Sequence, residues 1–434
     1  MPAPSALAVS GAPATLLVVL ADVVLILVAA RLAGRLAARL GQPPVIGEIL
    51  AGIALGPSLL GLLGADLPGT LFPDGARGWL KHVGDLGLVL FLFGVGRESD
   101  PRLLRRAGGR IGALSLGSIA VPATVGALAA LPLWADHAVV DGQAVPRAAF
   151  AAFVAVALAV TAFPVLARIL GDAGLLRSAV GRTAMAVAAV TDLVAWSALA
   201  VVVGIWGTGS RPVLELVLLV LAYGAGLRLV LLPVVRTALG RWGRGRPLVP
   251  AAILLAGLLV SAAATDRIGL HAAIGAFVFG VLCPRDGVPG RTAVAGEDVL
   301  ARTGVLLVPV FFLTTGLTVD LASLSLGGVS ELLVLLAAAS LAKFVGVAGA
   351  ARLSGDAARP AAALGVLLNA RGLTELVILE VGRSSGILDD RIFAALVAVA
   401  LVTTVVTGPL FRRLHGGDEP AGVRAGLRAH PLGP

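Results

Sequence analysis

Long apolar runs alternate with short polar stretches along this chain. Thirteen runs stand out: 15–33, 45–63, 83–96, 111–134, 147–170, 181–206, 212–235, 248–264, 268–284, 300–319, 328–351, 361–382 and 391–411. Most are close to the ~20 residues that a helix needs to span a hydrocarbon core about 30 Å thick. Inside lipid each backbone N–H and C=O must be paired within its own segment, so every run is expected to be helical. The run at 83–96 is short and is expected to recruit flanking polar residues. The pattern predicts an all-α membrane protein with 13 transmembrane helices.

Composition agrees. Of 434 residues, 58% are hydrophobic and only 14% charged, where a soluble chain carries about 25% charge. A soluble enzyme, a fibrous protein and a disordered chain are excluded. A net charge of +9 would suggest a nucleic-acid partner in a soluble domain. Here the partner is the lipid bilayer, and the basic residues mark loops. Those after odd-numbered runs, with the tail, hold 24 basic residues and the opposite loops 7. Basic loops stay in the cytoplasm, so the expected N-terminus is outside and the C-terminus inside. The three remaining basic residues, Arg228, Lys343 and Arg371, fall within runs. A single cysteine, Cys283, rules out an internal disulfide and a Cys-rich metal site. It is expected to be a small apolar packing residue. Residues 1–14 lack a basic n-region and read as a short extracytoplasmic N-terminus rather than a leader. The tail at 412–434 is expected to be cytoplasmic and too short for a regulatory domain.

Two runs are interrupted. The fifth reads Thr161-Ala162-Phe163-Pro164-Val165, and a mid-run proline removes one backbone donor and clashes with the preceding turn. Thr161 can satisfy a freed carbonyl. The twelfth reads Asn369-Ala370-Arg371-Gly372-Leu373-Thr374-Glu375, with charge and glycine in mid-run. The interruptions lie seven runs apart. An odd offset reverses orientation, so runs 4–6 and 11–13 read as inverted repeats. Paired interrupted helices in inverted repeats point to a transporter's midplane site. Two ordinary kinks are the plain alternative.

Ionisable residues within the runs are few. An Asp, Lys or Arg at the bilayer centre costs about 2.5–3.5 kcal/mol on insertion scales. Asp192 sits near the middle of run 6 with nothing beside it in sequence to pair with. Lys343 is central to run 11, in the other repeat. A Lys343–Asp192 pair at the repeat interface would make a site whose charge a proton or a cation could switch, or else a structural ion pair. Arg371 and Glu375, four residues apart, can pair within one helix. Asp22 and Glu48 are expected near water at the ends of runs 1 and 2, Glu48 in a structural role. His271, opening run 9, reads as structural.

These residues carry a specific resemblance. The stretches are Gly47–Ser58, Thr161–Leu170, Thr191–Trp196, Thr265–Asp266 with Gly269–His271, Gly275–Gly280, Phe311–Leu317 and Asn369–Leu376. In this order, over about 40 to 410, the chain resembles the monovalent cation:proton antiporters of the branch that includes Kef-type potassium efflux systems and plant cation/proton exchangers. The resemblance implies two discontinuous helices that cross beside an ion site. It implies a mobile core at 111–206 and 328–411, a dimerisation scaffold at 15–96 and 212–319, and a homodimer. It assigns Asp192 as the shared carrier of H⁺ and of Na⁺ or K⁺, and so as the metal ligand. Thr161 and Thr191 are its neighbours in the ion and proton site, and Lys343, Arg371 and Glu375 the core charge partners. Electrogenic members carry two adjacent acids; here the first position is Thr191, which favours one-for-one electroneutral exchange. No cofactor is expected, since no strand-flanked Gly-rich fingerprint occurs. A proton-independent channel or uniporter, a non-transporting sensor subunit and an intramembrane enzyme are the rival classes. The chain has no filter-like signature and no Gly-x-Ser-x-Gly motif.

Overall fold

The computed structural model describes residues 12–63, 67–98, 109–176, 178–207, 212–242, 248–283, 291–319 and 326–415. Most of the N-terminal stretch, the tail from 416 and the loop arginines at 102–106, 177, 211, 244–246, 285, 424 and 428 lie outside these residues. The helices are α1 (Ala12–Arg39), α2 (Pro44–Leu55), α3 (Asp74–Glu98), α4 (Gly109–Leu133), α5 (Arg147–Ala159), α6 (Phe163–Asp172), α7 (Ala179–Trp206), α8 (Val213–Gly226), α9 (Leu232–Trp242), α10 (Leu248–Ile268), α11 (Ala272–Leu282), α12 (Arg291–Leu317), α13 (Leu326–Leu353), α14 (Ala358–Leu367), α15 (Leu373–Ser384) and α16 (Asp390–His415). Among the described residues nine helical spans are long and apolar enough to cross a membrane, and α2, α5, α11 and α14 are shorter apolar helices. The short run at 83–96 is lengthened as expected, because α3 starts at Asp74. The only sheet among the described residues is a two-residue hairpin, β1 (Val139–Val140) with β2 (Gln143–Ala144).

The chain forms two compact units. Unit 1 contains α1–α3 and α8–α12. Its apolar core joins Val19, Ile26 and Ala30 of α1 to Leu80 of α3 and Leu313 of α12. Arg97 grips both carboxylate oxygens of Glu297, at 3.1 and 2.6 Å, and the Cys283 carbonyl at 2.7 Å. A π-helical turn, Leu227–Leu231, joins α8 to α9, and Arg228 lies exposed within it. Leu214, Leu218, Leu221 and Leu229 are also exposed on this span. An apolar surface of that extent suits lipid rather than water.

Unit 2 contains α4–α7 and α13–α16. Its order is a long helix, an interrupted helix and a long helix, given twice. α4 and α13 approach so closely that a Cβ on Gly117 would lie 2.3 Å from the Gly346 carbonyl oxygen. Only glycine permits that backbone contact, and it brings the side chain of Lys343, one turn before Gly346, across to α4.

Candidate functional site

The first interruption is a clean break. α5 stops at Ala159, Val160 and Ala162 are extended, and α6 begins at Phe163. Pro164 occupies the first turn of α6, where a missing N–H leaves no bond unmade. The proline therefore opens a new helix rather than bending one. The second break runs from the end of α14 at Leu367 to the start of α15 at Leu373. Gly372 there has φ 144°, a region closed to side chains. The two extended stretches bond to each other. The Ala162 N–H donates to the Ala370 carbonyl at 3.0 Å, and the Thr161 hydroxyl donates to the Leu368 carbonyl at 2.9 Å.

A helix that stops inside a protein leaves its last carbonyls unpaired and a partial negative charge there. At the end of α5 those carbonyls meet two basic side chains. Arg371 donates to the carbonyls of Ala157, at 2.9 Å, and Leu158, at 2.6 Å. Lys343 donates to the Ala159 carbonyl and, at 2.8 Å, to that of Ser118 on α4. Arg371 also pairs with Glu375 at 2.8 Å, but from the break ahead of α15 and not, as expected, within one helix. Glu375 lies in the first turn of α15, where a carboxylate meets the positive helix end. On α16 the Thr404 hydroxyl holds the Arg371 backbone, donating to its carbonyl and accepting from its N–H at 3.1 Å.

Asp192 stands differently. It lies on α7, is 1% exposed, and neither carboxyl oxygen has a hydrogen-bond partner. Its one backbone donor is the Phe163 N–H at the start of α6, a looser contact than a well-formed hydrogen bond, and Lys343 acts on it through charge. No ion pair joins Asp192 to Lys343, because the amine is taken up by backbone carbonyls. The expected Lys–Asp pair is therefore corrected to a near neighbour: Lys343 lies within electrostatic reach of Asp192, Arg371 and Glu375 alike. Thr191 turns its hydroxyl to the Val187 carbonyl of its own helix at 2.8 Å. It also lines an apolar cavity of about 90 Å³ with Ile119, Ala123, Ala155, Ala159 and Val194. Buried oxygens without a partner recur in and just after the second break, at Asn369 Oδ1 and, in the first turn of α15, Thr374 Oγ1 and Glu375 Oε2. Among the described residues no three His, Cys, Asp or Glu side chains gather to hold a metal. Carboxylate, hydroxyl, amide and carbonyl oxygens of this kind are donors that suit hard cations.

The remaining expectations resolve plainly. Asp22, expected near water, is 5% exposed, because α1 begins ten residues before it. Glu48 faces Gly34 of α1 and is half-buried. His271 caps α11, its Nδ1 accepting the Ala273 N–H at 3.2 Å. Cys283 is buried. Sequence reasoning missed Ser118 and Thr404, which act through backbone atoms or on them. It also missed a cluster around His137, Glu331 and Asp389.

Residues 24–415 match the family model described as "Sodium/hydrogen exchanger, transmembrane". The chain belongs to the sodium/hydrogen exchanger family. Among its relatives is Cation/H(+) antiporter 18 of Arabidopsis thaliana, 36% identical over 91% of this chain and 48% of that protein. Another is the Na(+)/H(+) antiporter NhaS4 of Synechocystis, 35% identical over 92% of this chain and 98% of that one. The chain thus spans about half the length of the plant relatives and nearly all of the cyanobacterial one. In fold, this exchanger-family chain is similar to the sodium proton antiporter MjNhaP1 from Methanocaldococcus jannaschii, with a TM-score of 0.63 at 15% identity over 92% of this chain and 98% of that one. The relatives are transporters by name, not enzymes, and the family is one of multi-pass membrane proteins.

Proposed function

We propose that this chain is a secondary antiporter that exchanges one monovalent cation, Na⁺ or K⁺, for one H⁺, with Asp192 as the shared carrier. The observation that carries the reading is the Asp192 carboxyl, buried on α7 beside the start of α6 with neither oxygen in a well-formed hydrogen bond. A buried carboxylate left alone is strongly unfavourable. A proton or a dehydrated cation relieves it, and the two compete for the same oxygens. Carbonyl oxygens at the breaks and the Thr161 hydroxyl supply further ligands. Loaded with either ion the carboxyl is neutralised and can change sides; empty it cannot, which couples the two flows. Thr191 in place of a second acid, with its hydroxyl bound to Val187, supports electroneutral one-for-one exchange.

The rest of the reading follows. Nine long spans, the short α2 and α11, and two broken helices make thirteen passes, with the N-terminus outside and the C-terminus in the cytoplasm. The breaks are the crossing of inverted repeats. Unit 2 serves as the moving core and unit 1 as the scaffold of a homodimer in the plasma or inner membrane, in the service of pH homeostasis. The test is ion-driven dequenching of a pH-sensitive dye in proteoliposomes set with a proton gradient. Adding Li⁺, Na⁺, K⁺ or Rb⁺ identifies the ion. Asp192→Asn is expected to abolish the signal; exchange at the wild-type rate in that variant overturns the carrier assignment. Cation current independent of the proton gradient would assign a uniporter.

A further inference from the structure

A second charged cluster, unused by the ion site, lies in unit 2 beside the starts of α13 and α16. After α4 the chain makes a 3₁₀ turn, Trp134–His137, then the β1–β2 hairpin. Trp134 Nε1 donates to the Val145 carbonyl at 2.9 Å, and Arg147 of α5 lies over the Trp134 ring. His137 is fully buried and stacks on Phe150 of α5, with ring centroids 5.5 Å apart. Its Nδ1 is 2.6 Å from Asp389 Oδ2, ahead of α16. Its Nε2 is 3.5 Å from Glu331 Oε2 on α13, and neither atom has a hydrogen-bond partner. Glu331 gives its other oxygen to Arg391 of α16. Asp389 Oδ1 accepts the Ile392 N–H at 2.9 Å. Nearby, Arg383 is taken up by Glu380 and Asp390.

We infer that His137 is a proton-operated clasp: a proton taken up at Nε2 lets the ring bridge Glu331 and Asp389, fastening the hairpin to α13 and α16. A neutral ring that donates from Nδ1 to Asp389 turns the lone pair of Nε2 towards a carboxylate oxygen. That sets acceptor against acceptor in a buried place. Protonation converts Nε2 to a donor and gives the ring two charge-assisted bonds. It also balances charge: two carboxylates face one guanidinium when the ring is neutral, and a guanidinium plus an imidazolium when it is charged. Burial pushes the Asp389 carboxyl up, but hydrogen bonds from His137 and the Ile392 N–H outweigh it and hold the group below its ordinary value. Asp389 therefore stays an anion through the range in which histidine titrates. The clasp bears on α13, which carries Lys343, and on α5, whose last carbonyls Lys343 and Arg371 bind.

The test is hydrogen–deuterium exchange of the 134–145 amides in the full chain in lipid nanodiscs. It runs from about pH 5 to 8, corrected for intrinsic exchange. Protection is expected to fall about ten-fold as pH rises, the worth of one hydrogen bond to a charged group. In His137→Gln that fall is expected to vanish. In Glu331→Gln, which keeps the ring, its midpoint is expected to move to lower pH. Wild-type protection that is flat in pH, the same fall in His137→Gln, or an unmoved midpoint in Glu331→Gln each overturns the clasp. The readout needs no ion movement, so the clasp and the antiport reading fail separately.

Discussion

The two interrupted helices make the same break with unequal chemistry. The first, between Ala159 and Phe163, has Thr161 as its one polar side chain. The second, between Leu367 and Leu373, holds Asn369 and Arg371, with Glu375 in the turn that follows. Each break leaves buried helix ends, yet most of the compensation comes from one side. Arg371 leaves its own break to bind the carbonyls that end α5, and Lys343 joins it from α13. The long helices differ too. α16 presents Thr404, whose hydroxyl is closed on the Arg371 backbone. The long helix α7 presents Asp192, whose carboxyl oxygens no side chain meets. Two interrupted helices of like layout thus need not share their charges evenly. One half of unit 2 supplies the basic side chains Lys343 and Arg371, and the other supplies the buried carboxyl of Asp192.

Substitutions at four positions test this division. Arg371→Ala has the largest expected effect, because it strands Glu375 and two buried carbonyls. Breaking a buried ion pair by removing one partner costs about 3–5 kcal/mol, read as a large fall in thermal midpoint in detergent. Arg371→Lys should recover only part, since an ammonium lacks the planar fork that reaches several acceptors at once. An unchanged midpoint in Arg371→Ala would mean that α5 ends without needing the second break. Lys343→Met comes next, at about 2–3 kcal/mol, because the Ala159 and Ser118 carbonyls both lose a donor. Gly372→Ala forces a residue with a Cβ into φ 144° and within 3.0 Å of Val165, at about 1–3 kcal/mol. Thr161→Val removes one bond between the breaks and should cost about 1 kcal/mol or less. If Thr161→Val proved the most damaging of the four, the breaks would be held by their mutual bonding and not by the cations.

Much of this was legible beforehand. Apolar runs of bilayer length gave the spans because hydrophobicity is a one-dimensional signal. The breaks were legible because Pro164, and Arg371 with Gly372, contradict the helix around them. Asp192 and Lys343 stood out because a charge in an apolar run has no local excuse. The partnership assigned to those two was the miss: opposite charges in two repeats suggested a pair, and the fold gave Lys343 to carbonyls instead. Backbone carbonyls carry no sequence signal, since every residue has one. The His137 cluster was missed for a related reason. His137 and Asp389 sit in polar segments where charge looks ordinary, and 252 residues separate them.

The amino-acid order alone determined that this chain lives in lipid, that it folds as helices, where two of them fail, and which carboxyl is out of place. Those are properties of single positions and their near neighbours, set by hydration and backbone geometry. The folded arrangement alone decided which cation answers which helix end, and therefore which acid is left without a partner. Hydrogen bonds act over about 3 Å, and only the packing of α5, α13 and α15 brings residues more than 180 positions apart within that reach.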